Sequence, residues 1–317
     1  MLCYKVCEEC NWSINNRAEN KIIDKLHSIR LLVNPQKRHN KDENIPHKYK
    51  ITYADGEIKA ESNAIKAQSE EDILGKCIYQ RNDETGEAYK IGPIDSIRDE
   101  ALKRGVSYKE ISTENISLEE LYPISLDTFF SDEMKTMVAK ICFEWAVSKF
   151  NSSLNYDSIR DSLYNNRVDE SNLVDILTDI DVADNLFENI YKHPGRKIIR
   201  QSKFLVGDYV LFYAIKDRCL YCFFVFLGMI IYKVFISKII PEEYETSQID
   251  IHVYPATTGI LEKYHLNIYY SLGLKSLVFN GLYNNTKGYM EYLGCKYGEL
   301  VHRLRPAPLN QENKHKK

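Results

Sequence analysis

Three apolar runs, separated by a few turn residues, constrain this chain more than any other feature. They span 209–216, 220–227 and 230–237, and the punctuation between them is Lys216-Asp217-Arg218 and Gly228. Each run is rich in β-branched and aromatic residues, as half-buried or fully buried strands are. Connections this short have no room for a crossover helix, so the runs read as an antiparallel meander. The run 249–254 is a candidate for a further strand, as is 197–205.

The residues before the meander carry a helical period. In 132–150, Met134, Val138, Ile141, Cys142 and Trp145 fall on one face, the stripe of a core helix. Residues 156–165 read as another helix, and 169–191 as one or two more. Nearer the N-terminus, Ile14, Ala18, Ile22, Leu26, Ile29 and Val33 mark a helix over 7–33, with a break expected near His27-Ser28 and a stop at Asn34-Pro35. Between these helical regions the period changes. Asp55-Gly56 is the turn of a hairpin formed by 49–53 and 57–60, and 76–80 with 88–91 form a second. A short helix at 96–104 closes on Gly105, and 106–130 reads as a connector. The expected class is α+β: an N-terminal helix, a helical middle and an antiparallel meander in the C-terminal half. The expected divisions are 1–47, 48–128, 129–260, 261–305 and a disordered tail at 306–317.

At 317 residues the chain has room for two domains, and its 44% apolar and 27% charged content is that of an ordinary globular protein. Eight cysteines in this length do not suggest a disulfide scaffold. The richest apolar run, 220–232, falls short of a membrane helix, and no secretory signal opens the sequence. A cytoplasmic protein without a membrane partner is expected. Net charge is -3, yet between Arg17 and Lys50 nine Lys and Arg stand against four acids. That local excess, with Arg17, Lys21, Lys25, Arg30, Lys37 and Arg38 in it, suits either a polyanion or a solvated basic face.

The chemistry-bearing stretch is Cys7-Glu8-Glu9-Cys10-Asn11, which runs straight into the N-terminal helix. A Cys-x-x-Cys is a redox pair, half of a zinc site, or chance. A redox pair sits after a strand, which is lacking here. A tetrahedral zinc needs two more ligands; Cys3, His27 and His39 are candidates, and so is a second pair, Cys219 and Cys222. Asp250 and His252 alternate on an expected strand, where a metal site and a satisfied structural histidine are both open readings. No phosphate-binding glycine loop, nucleophile elbow or His-Glu-x-x-His occurs.

The run Val6-Cys7-Glu8-Glu9-Cys10-Asn11, followed by a helix with Glu19 and then Leu26-His27-Ser28-Ile29-Arg30-Leu31-Leu32, resembles the last third of an HNH endonuclease module. In that family a β-hairpin carries an Asp/Glu-His pair and a helix closes the metal site. Two Cys-x-x-Cys pairs often hold a structural zinc, the second followed by Asn. The helical and meander-forming residues downstream resemble the variable region that follows such modules in many bacterial proteins. The resemblance implies that Cys7 and Cys10 are zinc ligands, that Asn11 lies on the closing helix, and that the basic segment from Arg17 to Lys50 tracks DNA. It also implies a catalytic Mg²⁺ or other divalent metal, provided that the hairpin is supplied. The general-base histidine, the first Cys pair and the loop Asn have no counterpart before Cys7, so the expectation is of a truncated or remnant chain that does not cleave DNA unaided. A non-enzymatic subunit of a bacterial or phage defence system, binding nucleic acid or protein, is the alternative expectation.

Overall fold

The computed structural model describes residues 12–33, 47–55, 58–61, 65–67, 78–81, 88–91, 94–105, 116–150, 154–165, 167–168, 172–191, 207–238, 249–256 and 261–305. The expected strand at 197–205 and the tail from Pro306 lie outside them. The chain divides into two compact units: Met1–Pro35 with Ile124–Arg305, and Gln36–Pro123 with Pro306–Lys317.

In the larger unit a π-helical turn (Asn15–Glu19) leads into α1 (Asn20–Lys25) and α2 (His27–Val33). The buried residues Ile14, Ala18, Ile22 and Leu26 recur every four positions. An α-helix has 3.6 residues per turn, so a four-residue spacing overshoots a full turn by about 40° per step. The π-turn and the break at Leu26 take up that overshoot and keep the stripe on one side. After a 3₁₀ turn (Leu126–Phe130), the elements are α4 (Asp132–Phe150), α5 (Asp157–Tyr164), β7 (Val174–Leu177), α6 (Ile180–Tyr191), β8 (Asp208–Lys216), β9 (Cys219–Phe226), β10 (Ile230–Lys238), β11 (Asp250–Pro255), β12 (Glu262–His265), α7 (Ile268–Asn280) and α8 (Tyr289–Leu304). The lower numbers belong to the smaller unit.

The expected meander is present. The six strands lie in the order β12-β11-β8-β9-β10-β7, all neighbours antiparallel. Asp217 and Arg218, at φ 53° and 57°, form the two-residue turn between β8 and β9. Two positive φ values are those of a type I′ turn, whose twist matches that of the flanking strands. Helices cover both faces of this sheet, which is why its central strands read as continuous apolar runs rather than alternating ones. On one face α6 and α7 bury Ala183, Leu186, Phe187, Leu274 and Val278 against Val210, Phe212, Phe223, Val225, Ile231, Ile251 and Val253. On the other, α4 and α5 pack on β9 and β10, with Met134, Val138, Cys142 and Trp145 of the expected stripe buried and Ile141 half-buried.

In this unit two regions depart from expectation. Residues 169–191 hold a strand, β7, as well as a helix, because Val174 and Ile176 face the α4 side of the sheet while Leu177 joins the opposite core. The register puts Asp175 opposite Lys233, and they form a salt bridge of 2.7 Å. The C-terminal residues are mainly helical, in α7 and α8.

In the smaller unit β1 (His47–Asp55) is central, pairing β2 (Ile58–Glu61) and β3 (Ile65–Ala67) on one side and β6 (Ile116–Leu121) on the other. β6 falls where the sequence suggested a connector; Leu118 pairs opposite the buried Ile51. The two expected hairpins form, the second from β4 (Ile78–Arg81) and β5 (Ala88–Ile91). The expected short helix is α3 (Ile94–Arg104), and Gly105 follows at φ 63°. That left-handed conformation suits glycine at a helix end.

Among the described residues, no helix is long and apolar enough to cross a membrane.

Candidate functional site

Cys7, Cys10, Asn11, Lys37 and Arg38 lie outside the described residues, as do Cys3 and His39. The helix that continues from the cysteine motif is described from Trp12, and its basic residues are put to definite uses. The Arg17 guanidinium donates to the backbone oxygens of Ser13 (3.2 Å), Leu163 (3.4 Å) and Tyr164 (3.1 Å). Leu163 and Tyr164 are the last residues of α5, so Arg17 reaches carbonyls at the helix end, where the regular intrahelical ladder stops. Lys25 pairs with Glu133 in the first turn of α4 at 3.2 Å. Lys21 is exposed and Arg30 half-buried.

Glu19 makes the strongest tie. Its carboxylate meets Lys140 of α4 at 2.5 Å, and the Lys140 side chain is 8% exposed. Glu144, one turn along α4, lies 3.9 Å from the same ammonium. Burial pushes the Glu144 carboxyl above its ordinary value, against the pull of Lys140. A buried ammonium stripped of water needs such partners, because its desolvation cost is several kcal/mol.

Asp250 and His252 sit near the sheet edge and join a cluster with residues that the sequence reading did not single out. Ile251 and Val253 point into the α6–α7 core, so strand alternation turns Asp250 and His252 toward α4. There Trp145 and Lys149 lie one turn apart on the same helix face. Asp250 accepts hydrogen bonds from Lys149 on one carboxylate oxygen and from His265 on the other. His265 arrives from β12, directly opposite Asp250 in the register. The Lys149 ammonium also lies 4.6 Å from the Tyr213 ring centre and 5.7 Å from that of Trp145.

The Trp145 indole donates to Nδ1 of His252 at 2.9 Å. An indole nitrogen can only donate, so Nδ1 is the unprotonated nitrogen and the proton sits on Nε2. Electrostatics agree: burial, then the charges of Lys149 and Lys263, push the His252 imidazole down to about 4. For Asp250, burial pushes the carboxyl up, but Lys149 and His265 outweigh it and hold the group below its ordinary range. Both carboxylate oxygens and Nδ1 of His252 are therefore engaged by protein groups, and the satisfied structural histidine is the reading that fits. Among the described residues, no group of three or more His, Cys, Asp or Glu is arranged to hold a metal ion.

Cys219 and Cys222 do not form a ligand pair. Cys222 is fully buried on the α4 side, where burial and then a hydrogen bond with Cys142 push its thiol up, while Cys219 is part-exposed at the strand start. Three positions apart on a strand, the two thiols point to opposite faces of the sheet. Cys142 and Trp145 were legible only as core stripe; the register of β11 against β8 and β12, which brings His252 under Trp145, left no sequence signal.

Comparison with protein-family models, with curated proteins and with solved structures gives no match for this chain.

Proposed function

We propose that this chain is a relative of the HNH endonucleases that works on DNA. The observation that carries the reading is Cys7-x-x-Cys10-Asn11 set immediately before a helix that α4 and α5 grip through Glu19 and Arg17. A metal-built nuclease module ends in such a helix, and a gripped helix gives it a rigid mount. Two thiolates are half of a tetrahedral zinc donor set; with a second pair supplied, Cys7 and Cys10 would hold the ion and fix the turn ahead of the helix. Cleavage by this route takes a general-base histidine on a β-hairpin beside a divalent metal. In this reading the chain binds DNA in the cytoplasm, and cleavage depends on that hairpin being supplied. Arg17 and Lys25 are tied to protein groups, so Lys21, Lys37 and Arg38 carry the backbone contact in this reading.

The test is fluorescence polarisation of a labelled duplex across a salt series. Lys21→Ala, Lys37→Ala and Arg38→Ala combined should lower the slope of log affinity against log salt by about 2 to 3. Zinc content measured by mass spectrometry should fall in Cys7→Ser and Cys10→Ser. Plasmid incubated with Mg²⁺ or Mn²⁺ should stay uncut. Absence of duplex binding at low salt would leave the second reading, a non-enzymatic assembly subunit, which the exposed apolar side of α7 favours.

A further inference from the structure

The cluster at Asp250 holds more nitrogen donors than its one carboxylate can satisfy. β11 and β12 pair with Asp250 opposite His265 and His252 opposite Lys263, so strand alternation sets all four residues on the α4 face of the sheet. On antiparallel neighbours, Cβ atoms directly opposite stand about 5 Å apart and diagonal ones about 7 to 8 Å. One small ligand spans that distance. Asp250 spends one oxygen on Lys149 and the other on His265. The charged groups that act on His252 are Lys149, Lys263, Asp250 and His265, with no second acid among them. Two ammonium groups therefore stand against one carboxylate, and positive charge is in excess even with both rings neutral.

The donors left over face outward. Trp145 occupies Nδ1 of His252, so the proton of that ring is on Nε2, which solvent reaches. The His265 ring is held at Nδ1 by Asp250 and its side chain is 75% exposed; the imidazolium form presents a second N–H at Nε2. Lys263 is exposed and has no partner among the described residues. β12 ends the strand order.

We propose that the β11–β12 edge is a phosphate-binding site. Lys263, the Nε2–H of His252 and the His265 imidazolium hold the phosphate oxygens, while Asp250 and Trp145 position the two rings. The ligand class follows from the charge and the donors. An anion supplies the charge that the cluster lacks, and a tetrahedral phosphate offers enough oxygens for three separate N–H groups. A metal cation meets two ammonium groups and finds both oxygens of Asp250 taken. The site uses none of the N-terminal basic residues assigned to DNA above, so it stands apart from that reading.

The experiment is titration of the full chain with inorganic phosphate at constant ionic strength and neutral pH, read from the histidine ring signals in NMR spectra. His252→Gln and His265→Gln assign the two signals, and circular dichroism checks that each variant folds. Both rings should shift together and saturate, with dissociation on the order of 1 mM. Lys263 is exposed, so its substitution leaves the core intact. Lys263→Gln should weaken binding about tenfold, and Lys263→Arg, which keeps the charge, should stay within about threefold of wild type. Thymidine 5′-monophosphate and a short DNA duplex without terminal phosphates then separate the sources. Whichever shifts the same two rings at lower concentration than inorganic phosphate identifies the site with a phosphate monoester or with the nucleic-acid backbone, and either supports the proposal. Shifts that do not saturate, or that match those of the other histidines, mean an adventitious ion only and overturn it. Wild-type affinity in Lys263→Gln overturns it as well.

Discussion

The two faces of the six-stranded sheet are covered by different means. Toward α6 and α7 the contact is almost entirely apolar, with Phe212 and Phe223 stacked at 4.9 Å and Phe279 edge-on to Phe223. Toward α4 the contact is apolar at its centre but stitched with polar bonds at named points. Tyr232 donates to the Phe129 carbonyl at 2.8 Å, Trp145 to His252, and Lys149 to Asp250. Beyond them, Lys140 meets Glu19 on the far side of α4. Apolar contact is non-directional and supplies stability in proportion to area. Hydrogen-bonded and ionic contacts add less net stability but are sensitive to position. The α6–α7 side therefore holds the fold up, and the α4 side fixes where the N-terminal helices and the edge strands sit.

The largest expected effect breaks the apolar side. Phe223→Ala removes a fully buried ring and should cost about 3 to 5 kcal/mol in denaturant unfolding. On the other side, Lys140→Met leaves Glu19 and Glu144 without their shared cation. It should cost about 2 to 3 kcal/mol, less than a wholly buried pair because the Glu19 side chain keeps 25% exposure.

Next in size is a pH effect. The folded His252 imidazole lies near 4, against an ordinary value of 6.5. Between those values the unfolded chain takes up a proton that the folded one refuses. Stability from this group is complete above 6.5 and is lost as pH falls toward 4. For a half-buried ring open to solvent screening the loss is about 1 to 2 kcal/mol. His252→Asn keeps an acceptor for Trp145 and should flatten that part of the stability profile relative to wild type. The smallest effect is Arg17→Ala. It frees the α5 carbonyls to water and should cost about 1 kcal/mol, seen as faster amide exchange in α5.

The sequence made one of these faces easier to read than the other. The meander runs, the α4 stripe and the apolar period of 12–33 are local patterns, and each forms the element it announces. β7 and β6 were missed because four- and six-residue strands with Asp175 or Glu119-Glu120 inside them look like connector until a partner strand is known. The cluster at Asp250 was half legible. The alternation of Asp250 and His252 was visible, but Trp145 and Lys149 lie 101 to 107 residues away and meet them only through tertiary packing. The same holds for Arg17: its charge suggested a polyanion, and the carbonyls it reaches are 146 and 147 residues distant.

Position-specific polar contact holds the N-terminal helix to α4, and Glu19 with Lys140 is where that is most exposed to measurement. A double-mutant cycle of Glu19→Gln, Lys140→Met and the pair, read by denaturant unfolding, should give a coupling of about 2 kcal/mol. Single-mutant effects that add to within about 0.5 kcal/mol would contradict it, because the two side chains would then not be acting on each other.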